Sequence, residues 1–213
     1  MQIQVGPLNI GFVGLKPIWT KHFEIWKSKC NSKSCCYKLD YEDSCFFRSR
    51  LMDIIDSECK NHTTICLHSL GVLHDEKVLL FIGKSGSGKS TLANKFREIE
   101  NCKVFSEEGN LVDYDKVPII AFDTPIRGKE DKSSGYPQSG EVKSIYFLNQ
   151  DISNRIEKLD ILSIVENIYA NHWYNLDQNF FAERVLDFVS VASPSIPFFN
   201  LYFNKKLDVR ELL

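Results

Sequence analysis

At 213 residues, with 43% hydrophobic and 25% charged side chains, the chain has the makings of a globular protein with one sizeable core, or one core plus a small appendage. Its formal charge of -2 leaves no basic excess to drive binding to a phosphate backbone, so nucleic acid is not expected among its partners. No apolar run reaches membrane-spanning length, and the opening "MQIQVGPLNIGFVGLKPIW" lacks an early basic region and is broken by glycine and proline, so no membrane partner and a reducing cytoplasm are expected.

Texture divides the chain near residue 60. Before it, "IQVGPLNIGFVG" reads as short strands, and "SRLMDIIDSECK" carries Leu51, Met52, Ile54 and Ile55 at helical spacing. Residues 1–60 therefore form a small strand-and-helix preface packed on a core domain of residues 61–213. The preface holds five of the seven cysteines, Cys30, Cys35, Cys36, Cys45 and Cys59; Cys66 and Cys102 lie in the core domain. An odd set without a secretory start does not suit a disulfide framework. A metal site in "CNSKSCC" is conceivable, but no second pair at zinc-finger spacing accompanies it, and free thiols are the expectation.

In "TTICLHSLGVLHDEKVLLFIG" two apolar runs flank the turn-like "HDEK", predicting a hairpin whose buried second strand, Val78 to Ile82, runs into a glycine loop. "STLANKFREIE" has the residue types and spacing of a helix that stops before Asn101. "CKVFS", "NLVDY", "VPIIAF" and "SIYFL" read as strands, and "GKEDKSSGYPQSGE" as an exposed loop of the kind that closes over substrates. "RIEKLDILSIVENIY" and "NFFAERVLDFVSVA" predict two amphipathic helices, and "PSIPFFNLYFN" a last strand.

The most informative stretch is "LFIGKSGSGKST". Gly83, Gly86 and Gly88 allow the backbone of Gly83, Lys84, Ser85, Gly86, Ser87 and Gly88 to turn its N–H groups onto one anion, and the adjoining helix adds the positive end of its dipole. Lys89 places an ammonium against outer phosphates, Ser90 offers a hydroxyl to a magnesium ion, and Thr91 completes the run. This is a Walker A pattern, a P-loop, between a buried strand and a helix. It predicts a site for ATP with Mg2+.

Further motifs in order, "LHSLGVLHDEKVLLFIGKSGSGKSTL", "VFSEEGNLVD", "DTPIRGK", "SIYFLNQ" and "IPFFNLYF", resemble the HPr kinases and their shorter kinase relatives over residues 66–208. The resemblance implies an α/β fold shared with phosphoenolpyruvate carboxykinase, a twisted mixed sheet with flanking helices. It also implies phosphoryl transfer to a hydroxyl, commonly serine. His68 then matches a histidine that faces the nucleotide phosphates; read without the family it is a histidine packed at a strand end. His74 falls in the polar turn and is expected to be exposed.

Glu107 and Glu108 stand where the family has two adjacent acids, usually aspartates, one a base toward the acceptor hydroxyl and the other near the metal. Here Glu107 takes the first role and Glu108 the second, unless "EEG" is a solvated acidic turn. Asp123, at the end of "VPIIAFD", is the rival metal carboxylate. Arg127 matches a basic residue that neutralises the transferring phosphoryl, with Lys129 as its substitute; both also fit ordinary loop charges.

The expected function is ATP-dependent phosphorylation of a serine or threonine in a protein or peptide, or of a small molecule such as serine, with self-association left open. A nucleotide sensor or slow ATPase acting through a partner is the alternative. A phosphoenolpyruvate carboxykinase is disfavoured by the short chain.

Overall fold

The computed structural model describes residues 1–13, 17, 20, 23–27, 36–38, 44–127, 137–172 and 178–213. It is a mixed α/β protein. The first strands, β1 (Gln2–Val5) and β2 (Leu8–Val13), form an antiparallel hairpin, and β3 (Cys36–Lys38) lies parallel to β2 in a three-stranded sheet. Helix α1 (Ser44–Cys59) comes next. Its Phe47, Leu51, Ile54 and Ile55 share one buried cluster with Ile3, Ile10 and Phe12 of the hairpin and with Cys66, Leu111 and Ile126 of the later chain. The described residues of this N-terminal part thus pack on the rest of the protein through a common apolar interior.

Among the described residues the central sheet has nine strands, all within residues 61–213. In chain order they are β4 (Thr64–Leu67), β5 (Ser69–His74), β6 (Lys77–Ile82), β7 (Lys103–Val104), β8 (Asn110–Asp113), β9 (Ile120–Phe122), β10 (Ser139–Gln150), β11 (Arg155–Lys158) and β12 (Phe198–Phe203). The path β4-β8-β9-β10-β6-β5-β7 forms most of it, and β12 joins β10 and carries β11. Strands β6, β10 and β12 run parallel, while the other pairings are antiparallel. At twelve residues, β10 is long enough for one edge to take β9 on its first residues and β12 on its last.

Strand β6 is buried on both faces, which is why it reads as a continuous apolar run. Val78, Leu80 and Ile82 face one cluster, where α3 (Ile161–Ala170) and α4 (Gln178–Ala192) contribute Ile164, Ile168, Phe181, Val185 and Phe188. Leu79 and Phe81 face the opposite cluster, where α2 (Lys89–Arg97) contributes Leu92, Ala93 and Phe96. Its ring partners place Phe81 5.4 Å from Phe96 and 5.2 Å from Tyr146.

Three expectations are corrected. The stretch expected as one strand of a hairpin is divided at His68 into β4, which pairs with β8, and β5, which pairs with β6. The turn of that hairpin is Asp75–Glu76, both at positive φ (46° and 65°), and His74 belongs to the end of β5, where it is half-buried beside the Asp75 carboxylate at 3.6 Å. The tail helix expected from "RIEKLDILSIVENIY" begins only at Ile161; Arg155–Lys158 is strand β11. Pairing with β12 holds Arg155–Lys158 extended, and the Asp160 side chain accepts from Ser163 N at 2.8 Å, starting the helix there. The loop at 128–141 lies largely outside the described residues, and its last three residues already belong to β10.

Candidate functional site

The glycine loop leaves the C-terminal end of β6 and enters α2 at Lys89. Gly88 has φ 104°, and a Cβ there would lie 2.7 Å from the Phe203 ring, so the turn into the helix needs glycine for both reasons. Gly83 is held by close approach: an added Cβ would meet Ser87 Oγ at 2.4 Å and Leu148 Cβ at 3.1 Å. The Ser87 hydroxyl is a buried oxygen with no hydrogen-bond partner among the described residues, which suits a loop shaped around a ligand. Ser90 and Lys84 are exposed.

Lys89 folds back along the loop. Its Nζ donates to Gly83 O at 2.5 Å and to Lys84 O at 3.4 Å, and the residue is only 8% exposed. Burial lowers its pKa, and the charges of Glu108 and then Glu107 oppose that shift. Both acids therefore act on the loop lysine, although eighteen and nineteen positions separate them from it in the chain.

The register explains the meeting. Ser69 is paired with Ile82, so one step further brings His68 opposite Gly83. Gly71 N donates to Ser106 O at 3.4 Å and Phe105 N to Gly71 O at 2.8 Å, which lays the "SEEG" turn against β5. Glu108 Oε2 then lies 3.6 Å from His68 Nε2, and Glu108 Oε1 lies 3.2 Å from Arg48 Nη1. Burial alone would raise the Glu108 carboxyl, but the His68 contact and the Arg48 and Lys89 charges hold it below its usual range. Glu107 is 7% exposed and receives Arg97 Nη2 at 2.8 Å.

Asp123 lies deeper. It is 1% exposed and accepts from Ser106 N at 2.7 Å, Thr124 N at 2.9 Å and Arg127 Nη2 at 2.7 Å. Burial pushes its carboxyl up, opposed by Arg127 and the two amides. Ser106 links the two acidic groups: its hydroxyl accepts from Glu108 N at 3.0 Å and Gly109 N at 3.1 Å and donates to Ile126 O. Asp123 thus braces the "SEEG" turn, and Arg127 belongs to that brace at 10% side-chain exposure. Lys129 lies outside the described residues.

A magnesium ion carried by nucleotide phosphates needs few protein oxygens. The Ser90 hydroxyl and the ionised Glu108 carboxylate fit that need, and among the described residues no cluster of three or more His, Cys, Asp or Glu forms a metal cage of its own. Cys59, Cys66 and Cys102 are free thiols; the "CNSKSCC" side chains lie outside the described residues.

Three contributors escaped the sequence reading. Arg48 comes from α1, Arg97 from the last turn of α2, and Gln150 from the end of β10, where its Nε2 donates to Gly86 O at 2.8 Å. Only Arg97 left a trace in the sequence, as two helical turns after Lys89 on one helix return a side chain near the same face. Fold and site together define a mixed α/β protein with a strand–glycine-loop–helix unit flanked by acidic and basic groups. No protein-family model matches the chain, and no curated protein matches it. Among the described residues no helix is long and apolar enough to cross a membrane.

Proposed function

We propose that the chain is an ATP-dependent kinase that phosphorylates a hydroxyl acceptor, a serine or threonine of a protein or precursor peptide, on a fold of the HPr kinase and phosphoenolpyruvate carboxykinase type. The observation that carries this reading is geometric: a glycine loop between a buried strand and a helix, with Lys89 Nζ folded onto Gly83 O at 2.5 Å and Glu108 held 3.6 Å from His68, the residue next to the Ser69–Ile82 pair at the start of that loop.

In this reading the loop amides and Lys89 bind the outer phosphates. Ser90 and Glu108 are the oxygens that would hold the magnesium, whose charge offsets that of the phosphates. The acceptor oxygen forms a bond to the terminal phosphorus as the bond to the bridging oxygen breaks. Glu107, oriented by Arg97, takes the hydroxyl proton, and ADP leaves. His68 balances charge on the phosphoryl group in transfer, while Arg127, held inward by Asp123, steadies the turn that carries the two glutamates. The protein acts without nucleic acid or membrane, in the cytoplasm.

A second reading is favoured by the near-complete burial of Glu107 against Arg97: a nucleotide sensor or slow ATPase that works through a partner protein. Labelled ATP with magnesium, serine-containing peptides and free serine separates the two. A kinase leaves label on one acceptor in step with ADP formation, and Lys89→Ala abolishes the transfer; ADP without labelled acceptor supports the sensor, and wild-type turnover by Lys89→Ala refutes the loop's role.

A further inference from the structure

The strand order around the loop gives a bound nucleotide a direction. Strand β5 flanks β6 on one side and β10 on the other. On the β5 side stand His68, Glu108 and Arg48, the groups suited to the reacting end. A phosphate chain lying in the loop with that end toward Glu108 sends its nucleoside toward β10 and β12, which run parallel to β6 and so end on the same side of the sheet.

What waits there is a rigid turn with an apolar crown. Gln150 ends β10 and ties it to the loop tip through its bond to Gly86 O at 2.8 Å. The next residues, Asp151 to Asn154, are braced from β12: Asp151 N donates to Phe203 O at 2.9 Å, Asn204 Nδ2 to Ile152 O at 2.7 Å, and Asn204 N to Asn154 Oδ1 at 3.0 Å. Asp151 and Arg155 neutralise one another at 2.5 Å, and the Arg155 guanidinium lies 3.6 Å over the Tyr202 ring. The turn's charged and amide side chains are thus engaged locally, yet Ile152 stands 96% exposed on top of it. A fixed, nearly bare isoleucine next to an anion cradle presents a flat-faced base with an apolar surface and little ordering cost.

We propose that this turn is the nucleoside seat of the site, with Ile152 packing against the base of the nucleotide whose phosphates the glycine loop holds. The inference rests on the nucleotide reading above and adds the direction and the contact surface. Ile152 touches the base and takes no part in the transfer.

Calorimetry of the full chain with magnesium and either ATP or inorganic tripolyphosphate tests it, because tripolyphosphate has the loop's ligand without the base. ATP is expected to bind the parent more tightly than tripolyphosphate. Ile152→Ser is expected to weaken ATP about tenfold and leave tripolyphosphate unchanged, while Ile152→Phe, which keeps an apolar face, retains ATP. Parental ATP affinity in Ile152→Ser, or an equal loss for both ligands, overturns the seat while leaving the loop reading intact. A parent that binds neither ligand overturns the loop reading and the seat together.

Discussion

The Arg48 guanidinium and the Glu108 carboxylate lie 3.2 Å apart across sixty positions of chain, and through this contact the N-terminal preface reaches the site. The pair is partly exposed, with 32% and 26% of the side chains accessible, so its loss is expected to cost less than about 1 kcal/mol of stability. Its effect on the site is expected to be larger. Arg48→Ala should lower phosphoryl-transfer kcat/KM about tenfold with little change in Tm, and Arg48→Lys should recover part of it, since an ammonium keeps the charge but not the planar fork. A fall in Tm that tracks the loss of rate would make Arg48 a structural residue only.

The three carboxylates are expected to fail in three different ways. Glu107→Gln cannot take a proton and should slow the chemical step about a hundredfold while nucleotide binding is kept. Glu108→Gln should raise the magnesium requirement, because an amide oxygen is a weaker ligand than a carboxylate. Asp123→Asn breaks a buried pair with Arg127 and should cost about 3 kcal/mol, a Tm fall of about 10 °C. A normal Tm in Asp123→Asn, with a magnesium defect found there and absent from Glu108→Gln, would transfer the metal role to Asp123.

Acid titration should show Glu108 through its sign. Its folded-state carboxyl is held below the ordinary 4.5, so the folded state favours the ionised form. That stability is present in full above the unfolded value and is lost as pH falls through the folded one. The stability difference between the parent and Glu108→Gln, measured by urea unfolding, should therefore shrink as pH drops below about 4.5. Asp123 contributes with the opposite sign, because burial raises its carboxyl and favours the protonated form on folding. A difference between parent and Glu108→Gln that grows toward low pH would contradict the described surroundings of Glu108.

Thiol labelling reads the core beneath the preface. Cys59 and Cys66 are buried in the cluster shared by α1, β4 and β8, and burial pushes Cys59 up to about 12 and Cys66 well above its usual range. Neither supplies thiolate or access, so iodoacetamide at pH 8 should spare both in the native protein and modify both in urea. Cys102, half-buried near the end of α2, should react first of the three. Peptide mapping checks the order, and native labelling of Cys59 would show that the preface separates from the sheet.

Some of this was legible in the sequence for a plain reason. The glycine loop is a local device: Gly83 and Gly88 shape the backbone and Lys89 and Ser90 place their side chains within one strand–turn–helix unit, so their spacing carries the information. Strand β6 was legible because burial on both faces makes its sequence continuously apolar. "RIEK" was misread as helix because its four residues are all exposed in β11, and an edge strand without a buried face shows no period of two. The break at His68 left no mark, since Leu67 and Ser69 are both buried and the change of partner from β8 to β6 is a matter of sheet topology.

By itself the sequence determined the strand–glycine-loop–helix unit, the mixed α/β class and the continuous apolar run of β6, all properties of residues close in the chain. Tertiary structure decided which charges surround the glycine loop. Arg48 meets Glu108, Arg97 meets Glu107, and Asp123 turns inward to brace Ser106, because β5 and β8 carry their loops to one end of the sheet and α1 packs over Cys66 and Leu111. Hydrogen-bonded ion pairs form only within about 4 Å, so these partnerships depend on where the sheet register places each side chain and leave no pattern along the chain.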